Sequence, residues 1–297
     1  MKRILVPFGA LLVACAPQFD DDVSRITVAR ILAVRSEPAE AAPGTALSFS
    51  AFIALPDGTS AATPSWEFCT APKPPTENNA VASACLVAAA LEPVGHGTSI
   101  QAQIPFDACS LFGPDTPPGA LRPRDPDVTG GYYQPLRVDL NNAAPTFHLQ
   151  RVLCPLGQAP SEIASLFGLS YVPNQNPHLA QLVARQDGQL LALDQIQSGT
   201  RVELEASWSA DDAETYPYFD RSQQALLNQR EAMSVAWYVS AGKLATPSSG
   251  RSETDSALTA NNEFTAPSTL GSTKLWIVLR DSRGGVDFAA YNLGILR

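Results

Sequence analysis

Apolar and polar side chains alternate along short stretches of this chain, the spacing of strands that bury one face. The first such stretch, residues 26–34, alternates through Val28 and Leu32 and stops at Glu37-Pro38; residues 99–104, 136–140 and 147–153 follow it. A second series occupies residues 178–184, 201–208, 233–239, 273–280 and 288–296. Successive side chains on a strand point to opposite faces of the sheet, so this alternation predicts half-buried strands. Two segments depart from it: residues 161–167 predict a short helix with Ser161 as its N-cap, and residues 221–231 are rich in helix formers. Proline-rich stretches at 70–75 and 114–126 predict long surface loops, since proline lacks the donor a central strand needs.

One pattern occurs twice. Pro43-Gly44-Thr45-Ala46-Leu47-Ser48-Phe49 is echoed by Ser198-Gly199-Thr200-Arg201-Val202-Glu203-Leu204, each a Gly-Thr turn opening an alternating strand. Each copy is followed by a tryptophan in an apolar strand, Trp66 in the first and Trp237 in the second. A buried tryptophan at that place suits an immunoglobulin-like core. The fold class expected is all-β: two tandem immunoglobulin-like β-sandwich domains with long loops and a short helical linker. In the second unit, Trp237 with Ser240-Ala241-Gly242, Phe264-Thr265-Ala266-Pro267, and Val278 to Asp281 with Gly284-Gly285 resemble bacterial polycystic-kidney-disease-type and related immunoglobulin-like domains. The Asp281-Ser282-Arg283-Gly284-Gly285 segment has hairpin-turn chemistry, glycine for positive φ and aspartate to accept main-chain hydrogen bonds.

The N-terminus changes the address rather than the fold. Lys2 and Arg3 precede an apolar run that closes on Leu12-Val13-Ala14-Cys15, which resembles a bacterial lipoprotein signal with its lipobox. The run is too short to cross a bilayer, which takes about 20 apolar residues. The resemblance implies cleavage before Cys15 and a diacylglyceryl anchor on its thiol, and Ala16 in place of aspartate favours the outer membrane. As a whole the chain is similar to lipoproteins of large-genome bacteria such as myxobacteria. The expected layout is a signal peptide over 1–14, a flexible tether over 15–24 and an N-terminal sandwich over 25–158. A linker with a short helix spans 159–175, and a C-terminal sandwich over 176–297 carries an insertion at 209–232.

With a net charge of −9, only 20 Lys and Arg, and no basic run beyond Lys2-Arg3, nucleic acid is an unsuitable partner. Setting Cys15 aside leaves Cys69, Cys85, Cys109 and Cys154, an even number that reads as two disulfides in an oxidising compartment. Four cysteines permit three pairings; Cys69 with Cys85 and Cys109 with Cys154 is favoured, because the first pair brackets one loop and no loops need cross.

Candidate chemistry is sparse. The chain has no nucleophile elbow, zinc-protease helix, phosphate loop or dinucleotide fingerprint, and His96, His148 and His178 each have a plain structural reading. The insertion holds the candidate sites. Asp211, Asp212, Glu214 and Asp220 are hard oxygen ligands that suit Ca²⁺ as a candidate cofactor. Tyr216, Tyr218 and Phe219 are candidate contacts for a glycan or protein partner. The expected function is a non-enzymatic envelope lipoprotein, held to the membrane by its lipid, whose domains bind or space a protein or glycan. The alternatives are a subunit of a secretion or surface assembly, and a glycan hydrolase using paired carboxylates such as Asp211 and Asp220.

Overall fold

The computed structural model describes residues 23–56, 63–114, 127–140 and 144–297. Cys15, the lipobox, the acidic part of the tether and most of the 114–126 loop lie outside the described residues.

Eight strands build the N-terminal half: β1 (Arg30–Glu37), β2 (Glu40–Ala41), β3 (Ala46–Ala54), β4 (Ser65–Cys69), β5 (Leu91–His96), β6 (Ser99–Gln103), β7 (Tyr132–Asp139) and β8 (Thr146–Val152). They form a three-stranded sheet, β1-β3-β6, facing a five-stranded sheet, β2-β8-β7-β4-β5. Leu47, Phe49, Trp66, Phe68, Ile104, Leu136 and Val138 fill the space between the sheets. A short helix, α1 (Ala108–Leu111), carries one half of a disulfide, and a second helix, α2 (Ser161–Ser170), follows the sandwich. Both disulfides pair as the favoured reading has them, Cys69–Cys85 and Cys109–Cys154.

The C-terminal half begins with β9 (Gln181–Gln186), β10 (Gln189–Leu191), β11 (Ile196–Gln197) and β12 (Arg201–Ser207). The insertion supplies β13 (Thr215–Asp220) and β14 (Ala225–Arg230). The remaining strands are β15 (Met233–Val239), β16 (Lys243–Leu244), β17 (Ser248–Arg251), β18 (Thr259–Thr265), β19 (Gly271–Asp281) and β20 (Val286–Leu296). Sheets ordered β10-β9-β12-β18-β16 and β11-β20-β19-β15-β17 enclose a core of Leu204, Val235, Trp237, Phe264, Ile277 and Leu293. The chain is thus all-β, two tandem sandwiches of immunoglobulin-like layout with a short helix between them. The repeated Gly-Thr pattern has a structural counterpart: Gly44 and Gly199 both take positive φ, +81° and +72°, ahead of β3 and β12. Trp66 and Trp237 are fully buried, one in each core.

Two expectations are corrected. Residues 221–231 are not helical, because β14 pairs along its whole length with β13, setting Leu226 and Leu227 opposite Phe219 and Tyr218. The turn between them is made by Asp220, whose Oδ1 accepts from the Ser222 and Gln223 main-chain N–H groups. Cross-strand pairing and burial outweigh local helix preference here. Ser161 is the first residue of α2 rather than its cap; Pro160 occupies the cap position with extended ψ and makes no side-chain cap bond.

Only the end of the tether, residues 23–24, lies among the described residues. Its last residue, Ser24, is buried, and the chain at 24–26 pairs in parallel with the end of β15 in the other half of the molecule. The Val239 N–H donates to Ser24 C=O and the Ile26 N–H to Val239 C=O, both at 2.9 Å. An exposed stretch of β15 beyond its pairing with β17 would leave main-chain groups open, and residues 24–26 close it.

The two sandwiches are also joined through their side chains. Leu32, Ala33, Phe52 and Ala54 from β1 and β3 pack with Ile26 against Tyr238, Trp276, Val278, Val286 and Phe288. Phe52 and Phe288 stack face to face with centroids 4.4 Å apart. At the margin Arg35 pairs with Asp287 at 2.9 Å, and Arg280 donates to Leu32 C=O at 2.8 Å.

Candidate functional site

Residues 171–178 cross from one sandwich to the other, and Asn174 and Asn176 are the buried centre of the joint. Asn174 is 1% exposed and Asn176 7%. Asn176 Nδ2 donates to Ser36 C=O in the first sandwich, and its Oδ1 accepts the Val286 N–H in the second. Asn174 N–H donates to Glu40 Oε2, while its Nδ2 reaches the Asp281 carboxylate. The two asparagines therefore bond to both halves at once.

Two buried arginines flank this crossing. Arg151, on β8, contacts Glu40 through Nε at 3.2 Å and donates to the Thr129 hydroxyl, Tyr133 Oη and Tyr171 Oη. Burial opposes its charge, but the surrounding Tyr133, Glu40 and Tyr171 oxygens overcome that cost and raise its pKa further. Tyr171 itself is pushed up to about 12, by burial first. Arg283 lies in the β19–β20 turn. Its Nε donates to Glu231 Oε1 at 2.6 Å, Nη2 to Glu214 Oε2 and Nη1 to Val172 C=O, with its guanidinium 4.5 Å from the centre of the Tyr216 ring. Asp281 Oδ1 closes the same turn by accepting the Arg283 and Gly285 N–H groups. Position 285 requires glycine, since a Cβ there would collide with the Asp281 carboxylate.

Around Arg283 the negative charges outnumber the positive. Burial raises the Glu231 carboxyl to about 8, with the Asp281 charge adding to the effect and Arg283 opposing it. Burial likewise raises Asp281. These carboxyls are spent on holding the joint together, since Glu231 and Asp281 lie inside the protein and bond to its own donors.

The insertion predicted to carry the site is part of this joint. Tyr216 is 1% exposed and Phe219 8%, so they cover the joint instead of forming an exposed platform. Tyr218 is half-buried, with its Cβ against Gly130 of the first sandwich. The hairpin also packs on α2. The four carboxylates are distributed among separate tasks. Asp212 accepts from the Ser209 N–H and hydroxyl and from the His178 N–H, which lowers its pKa against its burial. Glu214 bonds Arg283 and Gln175. Asp220 makes the hairpin turn, and its hydrogen bonds from Ser222 and Gln223 lower its pKa. Asp211 is exposed. Among the described residues no three His, Cys, Asp or Glu side chains converge as a metal site. Asp220 also stands at the far end of a six-residue strand, on the order of 17 Å along β13 from the Glu214 end.

Of the three histidines, His178 is exposed and places Nδ1 3.0 Å from Asp212. His148 lies in β8 with its ring edge-on to Phe49, and burial lowers it to about 4. His96 ends β5, beside the turn at Gly97-Thr98. The residues that make the joint, Glu40, Arg151, Asn174, Asn176, Glu231 and Arg283, were not singled out from sequence. The available signal was Arg283, a long cation inside a turn that closes two otherwise apolar strands.

The fold and its joint define a two-sandwich, all-β protein whose halves share one buried polar seam. No protein-family model matches the chain, and no curated protein does. Among solved structures it is similar to the fibronectin(III)-like modules of Clostridium thermocellum CbhA, at 9% identity and a TM-score of 0.24 over 89% of this chain and 93% of that one. It is also similar to red sea bream transglutaminase, at 8% identity and a TM-score of 0.25 over 92% of this chain and 32% of that one. A third is the N-terminal part of the bacteriophage RB49 outer capsid protein Hoc, at 9% identity and a TM-score of 0.19 over 89% and 58%.

Proposed function

We propose that the protein is a non-enzymatic, lipid-anchored envelope module, in which two sandwiches fixed in one orientation hold a protein or glycan partner at a set position from the membrane. The observation that carries this reading is the joint. Buried ion pairs such as Arg283–Glu231 are weak sources of net stability but costly to break, so their effect is to select one arrangement of the two halves. A spacer or docking module needs that fixed arrangement. The two disulfides suit an oxidising compartment outside the cytoplasm. With Cys15 as the anchor, the tether would join the body at residues 24–26, beside β15 and against the joint of the two sandwiches.

The test is affinity purification of the full-length protein from detergent-solubilised membranes, alongside palmitate labelling of wild type and Cys15→Ala. A stoichiometric partner, with labelling lost in Cys15→Ala, is the expected result. A lone monomer that hydrolyses envelope glycan, or labelling that persists without Cys15, overturns the reading.

A further inference from the structure

The first sandwich has an open side. β5 and β6 are consecutive strands joined by the turn at Gly97-Thr98, yet each lies at the edge of a different sheet. They diverge from that turn and leave between them a cleft of about 560 Å³. Phe68, Val94, Ala102 and Ile104 give it an apolar floor, and Glu92 and Asp107 stand on its walls. Neither carboxylate has a side-chain hydrogen bond or ion pair among the described residues. Phe106, 79% exposed, borders the cleft on the side of Gly44, where a Cβ would strike its ring.

Among the described residues nothing pairs with the outer edge of β6. Ala51 N–H donates to Thr98 C=O at one end of the β3–β6 ladder, and Ile104 N–H donates to Thr45 C=O at the other. Main-chain groups alternate in direction along an antiparallel strand, so 100 and 102 face β3 while Ser99, Gln101 and Gln103 turn theirs outward. No main-chain hydrogen bond reaches those outward groups among the described residues. Edge strands are ordinarily blunted by charge, proline, a bulge or a cover. β5 has Glu92, Pro93 and a bulge opposite Trp66 and Glu67; β1 is bulged at Ile31/Ala33 and covered by the second sandwich. β6, Ser-Ile-Gln-Ala-Gln, has no charge, no proline and no bulge.

We propose that the β6 edge and the cleft beside it form a docking site for an extended polypeptide segment that alternates apolar and basic residues and adds to the sheet as a further strand. Ser99, Gln101 and Gln103 present main-chain donors and acceptors for the added strand. Every second side chain of the guest lies over Phe68, Val94, Ala102 and Ile104, and its lysines or arginines, long enough to fold back over the rim of the cleft, meet Glu92 and Asp107, the charge complementarity that selects a basic segment over a neutral one. This site rests on the binding-module reading and names its partner class. Failure at β6 with a partner still recovered from membranes overturns the site alone, whereas no partner at all overturns the module.

The experiment measures fluorescence anisotropy of two labelled heptapeptides against the full-length protein in detergent, one alternating lysine with valine and one alternating glutamate with valine. At about 50 mM salt, where surface charges are only partly screened, the lysine peptide binds about tenfold tighter or more. Gln101→Pro removes an outward N–H without touching the β3 ladder and weakens binding about tenfold, as does N-methylation of alternate peptide nitrogens, which leaves the protein unaltered. Glu92→Lys with Asp107→Lys reverses the charge preference. Equal affinity for both peptides, no binding up to about millimolar concentration, or binding indifferent to Gln101→Pro and to N-methylation overturns the proposal. So does displacement of the peptide by a chitin hexasaccharide, or self-association through β6 in place of peptide binding.

Discussion

Replacing Arg283 by methionine removes the guanidinium while keeping much of its aliphatic length. Three partners lose their donor: Glu231 Oε1, Glu214 Oε2 and Val172 C=O. Glu231 is itself 1% exposed and feels the Asp281 charge, so removing the cation leaves a buried carboxyl with no counter-charge. Breaking a buried pair from one side costs about 3 to 5 kcal/mol. At roughly 2 to 4 °C per kcal/mol for a chain of this class, that lowers the melting temperature by about 6 to 20 °C in differential scanning calorimetry. The loss should depend on pH in a fixed direction. Without Arg283 the folded-state pKa of Glu231 rises further above its unfolded value of about 4.3, so the group favours the folded state fully below that value. This contribution disappears as pH rises through the folded pKa. The deficit of Arg283→Met is therefore smallest near pH 5 and largest above about pH 8. A loss below about 1 kcal/mol, or one constant with pH, would refute the reasoning.

Other consequences follow from the same geometry. In the wild type, Glu231 is already raised to about 8, so its stabilising contribution is lost as pH climbs from about 4.3 through 8; Glu231→Gln keeps an acceptor for Arg283 and should flatten that decline in urea titrations at pH 5 and pH 8. Tyr216→Ala should cost about 3 to 5 kcal/mol in the same assay, because the ring is a buried part of the joint; a stable variant would show that it stands free. Opening Cys69–Cys85, a separation of 16 residues, should cost about 3 kcal/mol by loop entropy, and opening Cys109–Cys154, a separation of 45, about 4 kcal/mol; Cys→Ser pairs measured by denaturant unfolding check both.

Strand periodicity was legible where one face meets a core within the same sandwich. Residues 233–239 alternate cleanly, and β15 spans Met233–Val239. The Gly-Thr echo and the two tryptophans were legible for the same reason, since each serves its own half. Illegible features depend on contacts between halves. β13 and β14 bury Tyr216 and Phe219 against a joint that no local window contains, so residues 221–231 read as helix from their propensities. The Asn174–Asn176 segment has the composition of an exposed turn, yet its amides satisfy buried groups from both sandwiches. The partners of Arg283 lie 52 and 69 residues away in sequence, and charge spacing of that kind has no periodic signature. The tether behaved likewise: nothing in residues 24–26 names Val239 as their partner.

Two sandwiches joined by this seam behave as one body, and native-state hydrogen exchange reads that out amide by amide. The amides of Ile26, Val239, Asn174 and Val286 belong to the joint, while those buried in β3 and β15 report the two cores. If the account is right, joint and core amides exchange with the same free energy, that of global unfolding, and Arg283→Met lowers the joint amides first. Exchange of the four joint amides at the rate of exposed loops, with the two cores protected to different extents, would contradict it.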